Sequence, residues 1–263
     1  MGRAFAVALA RLGADISVHH HGTASKSDAE ETARLVREHG TRTIIVDGDL
    51  TDTKVVKHLF EATLGAFGRV DIVINNAGLV IKKPFTDISE AEFDRSFGIN
   101  AKAAFFVMQE AARCIADNGR IINMGTTRPF PFYSVYAGAK AALEDFTRAL
   151  AREIGGRGVT VNVVAPGPIN DPFYHGAETP ESVARATTAS VAGRLGHIED
   201  IVPVIEFLAS PQSQWITAQT LYIHGGYGSA GRNGYCPAAP AAIGTVLTMT
   251  LALAASHKGC GAK

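Results

Sequence analysis

The sequence carries no net charge: 25 Lys and Arg balance 25 Asp and Glu over 263 residues. With no positive field to collect phosphates, nucleic acid is not an expected partner. Cysteine is scarce. Cys114, Cys236 and Cys260 share no metal-ligand spacing, which argues against a disulfide scaffold or a zinc module and for a reducing, cytoplasmic compartment. Long apolar runs are missing too. The uncharged stretch 241–255 has 15 residues, short of the roughly 20 that a helix needs to cross a bilayer, so no membrane anchor is expected. No secretory signal is expected either, because Met1 runs straight into an amphipathic helical pattern. What remains is apolar mass. At 46% hydrophobic residues, the chain can bury a sizeable core and is not disordered in bulk.

Short β-branched runs alternate with helical patterns. Residues 16–19 (ISVH), 43–46 (TIIV), 71–74 (DIVI), 120–124 (RIINM), 159–164 (VTVNVV) and 220–224 (TLYIH) read as strands. Their nearly continuous apolar character predicts burial on both faces, as in a parallel sheet. Helices are predicted over 54–67, 90–116, 134–154, 180–188 and 198–209, and over 29–39 with Asp28 as N-cap. Phe5, Ala8, Leu9 and Leu12 mark a further helix at the start. The alternation predicts an α/β fold, a doubly wound Rossmann-type parallel sheet with helices on both faces. Residues 228–263 depart from this pattern as loop plus an apolar segment.

Tyr136 and Lys140 stand four apart at the start of a predicted helix, on one helical face. An ammonium beside a phenol favours the phenolate and would lower the Tyr pKa, making Tyr136 a usable general acid/base. Alone the pattern is weak, since a surface Tyr and Lys at helical spacing is common. Other motifs sit with it at strand ends: Asn75, Asn76, Ala77 and Gly78 after 71–74, Asp49 and Leu50 after 43–46, and Pro166, Gly167, Pro168 and Ile169 after 159–164. Taken singly these read as a turn, a helix cap and a loop. Their shared place at the carboxyl ends of strands is where open α/β sheets bind ligands.

In this order and context, NNAG, Asn100, Y-x-x-x-K and PGPI resemble the short-chain dehydrogenase/reductase family, with a likeness to 3-oxoacyl-ACP reductase-like members. The resemblance covers about residues 2–227. It implies hydride transfer between a nicotinamide cofactor and a carbonyl or secondary alcohol. Tyr136 would protonate the carbonyl oxygen, Lys140 would lower the Tyr136 pKa and bind the nicotinamide ribose, and Asn100 would hold a relay water. Ile169 would contact the carboxamide and Asn76 would line the adenosine side. Thr126 takes the place of the family's Ser, with Thr127 as the alternative. Asp171 stands where members often have Thr. A homodimer or homotetramer built through the long helices is implied.

Cofactor choice rests on the end of the 16–19 strand, where NAD-preferring members carry an acid. Here His19, His20, His21 and Gly22 are followed by Thr23, Ser25 and Lys26, which favours NADP(H) over NAD(H), with His20 a contact. One family element is missing. The family opens with a strand and a Gly-rich turn, of which only the last glycine, Gly2, has a counterpart. The absent strand would lie centrally, between 16–19 and 71–74. Each buried unpaired backbone group costs about 1–3 kcal/mol, so a chain with that gap is expected to bind cofactor poorly or fold badly. The economical explanation is a start at an internal Met. The alternative is that 245–251 (TVLTMTL) fills the gap, which demands an unusual connection.

The leading expectation is therefore an NADP(H)-dependent carbonyl reductase or alcohol dehydrogenase, residues 1–227 forming the family domain and 228–263 an extension outside it. Phe130, Phe132, Phe173 and Tyr174 point to an apolar or aromatic carbonyl substrate. The rival is an impaired remnant or a non-catalytic binding partner on the same fold.

Overall fold

The computed structural model describes residues 1–127, 131–227, 247–248 and 251–256. Phe130 and the rest of 128–130, and the greater part of 228–263, lie outside the described residues. The chain opens with α1 (Gly2–Arg11), β1 (Ala14–His20), α2 (Lys26–Glu38), β2 (Thr43–Asp47), α3 (Thr53–Phe67) and β3 (Val70–Asn75). A two-residue strand β4 (Gly78–Leu79) precedes α4 (Glu90–Phe97) and α5 (Ala104–Cys114), which are joined by a π-helical turn, Gly98–Ala103. Then come β5 (Ile115–Met124), α6 (Ser134–Ile154), β6 (Thr160–Pro166), the short α7 (Pro172–His175), α8 (Pro180–Ala189), α9 (Ile198–Ala209) and β7 (Thr220–Ile223). Two strands close the described chain, β8 (Leu247–Thr248) and β9 (Leu251–Ser256).

The main sheet runs β2-β1-β9-β3-β5-β6-β7, and every pair not involving β9 is parallel. Strand residues alternate between two cores, as a period of two requires. Val73 and Ile121 face Val56, Leu59, Val107 and Leu143 on one side. Ile74 and Ile122 face Phe5, Leu9, Val36 and Ile205 on the other.

The expected central gap is not open. β9 occupies it, antiparallel to both neighbours, pairing Ile16 with Ala254 on one side and Val73 with Leu253 on the other. The direction has a simple cause. Just ahead of β9, β8 pairs with β4, beyond the carboxyl end of β3. A strand that enters from that end must run against its parallel neighbours. The segment in the gap starts at Leu251, so only the last residue of the expected 245–251 stretch belongs to it. The ladders to β1 and β3 supply the backbone partners whose loss the sequence had suggested, which corrects the expectation of a sheet open at its centre.

A smaller correction concerns α2. Its N-cap is Ser25, and Asp28 lies inside the first turn, where it binds Arg3 at 2.6 Å. An acid there favours the helix dipole as well as a cap would, and the Arg3 partner on α1 is invisible to local pattern.

Candidate active site

The strand ends place the motifs together. α6 carries Tyr136 and Lys140, both buried. The phenol of Tyr136 is hydrogen-bonded to the Thr126 hydroxyl. Of the two threonines considered, Thr126 is thus the one brought to the tyrosine; Thr127 instead donates its N–H to the Pro166 carbonyl at 3.1 Å. Burial pushes the Tyr136 pKa up to about 12, against the Thr126 hydrogen bond, and Asp171 adds to the rise. Burial also pushes Lys140 down, to about 8. Lys140 Nζ donates to the Met124 carbonyl at 2.9 Å and to the Ala77 carbonyl at 3.5 Å. The two residues do stand four apart on one helix, but the Lys140 ammonium is directed to those carbonyls and burial governs both groups, so the expected depression of the Tyr136 pKa is absent.

Asn100 sits in the π-helical turn, fully buried. Its side chain clamps the backbone of Leu79, accepting from the N–H at 3.1 Å and donating to the carbonyl at 2.8 Å, and it donates to Ser96 Oγ at 3.3 Å. These bonds fix the NNAG loop and leave the amide little to offer a relay water. Gly78 lies between Asn100 and Lys140. A Cβ on it would fall 2.9 Å from Asn100 Oδ1 and 3.3 Å from Lys140 Nζ, so glycine is what lets the two approach. The two asparagines of NNAG differ. Asn75 is buried and donates to Asn123 Oδ1 at 2.8 Å, and Asn123 in turn donates to Thr147, which ties β3, β5 and α6 together. Asn76 and Ala77 are half-buried.

In PGPI, Pro166 ends β6. A Cβ on Gly167 would lie 2.6 Å from His224 Cβ, so this glycine admits the end of β7. Ile169 is buried and bridges Gly196. Asp171 caps α7 by accepting from Tyr174 N–H at 2.9 Å.

Apart from Tyr136 and Lys140, which do not line it, an open cavity of about 820 Å³ is lined by His21, Asp49 and Thr51 and continues to Phe97, Lys102 and Phe105. Asp49 accepts from Thr51 N–H at 2.9 Å. Burial opposes its ionisation, but the Thr51 hydrogen bonds and the nearby His21 and His19 hold its pKa below the usual range. Leu50 is buried. His20 is also buried, its Nδ1 3.2 Å from the Gly22 carbonyl and 3.4 Å from Asp47. The strand end is therefore not free of acid, as its own sequence had suggested. Asp47, from β2, reaches it and accepts from Gly22 N–H at 2.8 Å.

Sequence reasoning missed one cluster. Glu178, whose side chain is 4% exposed, binds Lys82 at 2.5 Å and accepts from Tyr133 and Ser182. The available signal was Lys82 itself, a charge directly after the apolar run Leu79, Val80, Ile81.

A parallel α/β sheet with Tyr, Lys, Thr and Asn converging at its carboxyl edge defines a dinucleotide-type oxidoreductase. The comparisons with known proteins agree. The family described as Enoyl-(Acyl carrier protein) reductase matches residues 1–228. A short-chain type dehydrogenase/reductase of Picea abies is 34% identical, over 86% of this chain and 88% of its own. An NADPH-dependent aldehyde reductase-like protein, chloroplastic, of Arabidopsis thaliana is 36% identical over 86% and 90%. The crystal structure of a putative dehydrogenase from Burkholderia cenocepacia with bound NADP superposes with a TM-score of 0.83 at 43% identity, covering 86% of this chain and 88% of that one. The chain belongs to the short-chain dehydrogenase/reductase family, and is an enzyme of that family. Among the described residues no helix is long and apolar enough to cross a membrane.

Proposed function

We propose that the chain reduces a carbonyl compound, or oxidises the corresponding secondary alcohol, with NADP(H). The observation that carries this is the Tyr136 phenol bonded to Thr126, with Lys140 four residues along the same helix and buried. The residues present fit a dinucleotide. An ammonium has three protons, and Lys140 gives two of them to the Met124 and Ala77 carbonyls, which leaves one for a ribose hydroxyl. α1 has no acidic residue in its first turn and no side-chain cap, so its N-terminus at Gly2 suits a phosphate. His20, Asp49, Leu50, Asn76, Ala77, Gly78, Pro166, Gly167 and Ile169 complete the cofactor side.

When bound, NADPH supplies the hydride to the carbonyl carbon. Tyr136 gives its phenolic proton to the carbonyl oxygen, and Thr126 orients that oxygen. In this dry site the phenolate left behind is costly, and the Lys140 ammonium on the same helix is the positive charge available to offset it once a ribose hydroxyl draws it from the Met124 and Ala77 carbonyls. Asn100 acts by holding Leu79 and hence the loop beside Lys140. The preference for NADP(H) rests on the NADP-bound structure, on the NADPH-dependent relative, and on Asp47 being engaged by Gly22 N–H. The exposed rings of Phe93 and Phe105, near Phe97 and Phe146, support a homo-oligomer built through α4, α5 and α6.

A second reading, a non-catalytic member, is favoured by β8 lying against Gly78 and Leu79, beside the proposed ribose site. Titration of the intrinsic fluorescence of NADPH separates the two. Tight binding together with consumption of NADPH in the presence of aldehydes, ketones, quinones or 3-oxoacyl thioesters supports the enzyme. No binding supports the rival.

A further inference from the structure

The carboxyl edge of the sheet, where an open α/β fold takes its ligand, is crossed by β8. Its two residues pair antiparallel with β4, Thr248 with Gly78 and Leu247 with Leu79. Leu79 already gives its N–H and its carbonyl to Asn100. Gly78 is therefore the residue able to exchange both backbone groups with Thr248, as a hydrogen-bonded antiparallel pair does. Paired strands lie about 4.7–4.9 Å apart, so no layer for a ligand is left between β8 and Gly78. Gly78 is also the residue whose added Cβ would stand 3.3 Å from Lys140 Nζ. β8 thus covers the backbone beside the ammonium that the proposed reaction assigns to a ribose hydroxyl.

The two C-terminal strands are held very differently. β9 pairs along its whole length with β1, from Leu251 opposite His19 to Ser256 opposite Ala14, and on its other side Ala252 to Ala254 pair with β3. Among the described residues, β8 has only its two-residue ladder to β4. Met249 and Thr250 alone separate the two strands. A firm anchor keeps a weak strand at high effective concentration beside its partner, while release of that strand breaks only its own few hydrogen bonds. We propose that β8 is an autoinhibitory strap: β9 anchors it, and it competes with the dinucleotide for the backbone at Gly78. NADP(H) then binds only when β8 has left β4, with β9 in the sheet in both arrangements. A protein whose competent state is a minor fraction binds its ligand more weakly by that fraction, so weakening the strap tightens cofactor binding. The ligand named here rests on the NADP(H) reading.

The test is a fluorescence titration of NADPH with the full chain and with Thr248→Pro, which removes a backbone N–H from β8 and lies outside β9. The Kd for NADPH is expected to fall about ten-fold in Thr248→Pro, with the melting temperature unchanged because β9 keeps its place. Equal affinity in the two proteins, or weaker binding by Thr248→Pro, overturns the strap and leaves the cofactor reading standing. Binding by neither protein overturns that reading and the competition with it. If Thr248→Pro melts early, amide exchange in the wild type carries the test. Saturating NADPH is expected to speed exchange at Thr248 about ten-fold or more and to leave β9 protected. Unchanged exchange at Thr248 in the NADPH-bound protein overturns the strap.

Discussion

Lys140 directs its ammonium to the Met124 carbonyl at 2.9 Å and the Ala77 carbonyl at 3.5 Å, and the burial that accompanies this lowers its pKa to about 8. The charge that the proposed chemistry needs on Lys140 is therefore complete at low pH and lost as pH rises through about 8. Reductive kcat/KM is expected to fall above that pH. In Lys140→Arg, whose guanidinium keeps its proton, the residual activity should be flat to about pH 9.5. A pH profile of both proteins checks this. For stability the sign is the reverse of the usual gain. The folded pKa lies below the unfolded value of about 10.4, so the unfolded chain binds more protons between these values and Lys140 contributes a rise in stability with pH there.

Gly78 predicts a steric outcome. A methyl group 2.9 Å from Asn100 Oδ1 and 3.3 Å from Lys140 Nζ forces one of them to move. Overpacking of this kind costs about 1–3 kcal/mol. Gly78→Ala should lower kcat about ten-fold or more while far-ultraviolet circular dichroism stays unchanged.

His19 supplies an acid-side prediction. It is fully buried, and burial lowers its pKa to about 4, opposed by the bond of its Nε2 to the Gly48 carbonyl. The neutral ring is the folded form, while the unfolded ring titrates near 6.5. Between those values the unfolded chain binds more protons, so stability falls as pH drops from about 6.5 to 4, by up to about 3 kcal/mol. Denaturant melts across this window should show the fall, and His19→Gln should flatten it.

The strand β9 carries its own prediction. Leu253 pairs with Ser17 on one side and Val73 on the other. Leu253→Pro removes a ladder N–H from the middle of the sheet, and the partner left unpaired costs at least about 1–3 kcal/mol. Thermal unfolding is the measurement. A melting temperature equal to the wild type would mean that β9 does not hold this place.

Much of this architecture was legible in the sequence. Parallel strands bury both faces, so ISVH and VTVNVV announce themselves, and the chemistry falls on short motifs at their ends. Tyr136, Lys140, Gly78 and Thr126 could be named as candidates from the sequence because their signals are local. What was not legible depends on contacts across long separations. Glu178 meets Lys82 from 96 residues away. Asp47 reaches Gly22 from a neighbouring strand. The Tyr136 pKa reflects burial, which no spacing encodes. The strand in the gap, β9, is Leu251–Ser256 and not the 245–251 stretch; a strand returning from the far edge of the sheet demands an unusual connection, and local pattern carries no sign of an approach from the carboxyl edge with the antiparallel direction it imposes.

The proposed chemistry turns on Tyr136 as the proton donor of an NADPH-dependent carbonyl reduction. NADPH oxidation followed at 340 nm, with wild type and Tyr136→Phe against one panel of aldehydes, ketones, quinones and 3-oxoacyl thioesters, tests it most directly. The expected result is turnover of at least one carbonyl by the wild type and a loss of about 100-fold or more in kcat for Tyr136→Phe, with NADPH affinity retained. Turnover by Tyr136→Phe close to that of the wild type would contradict it.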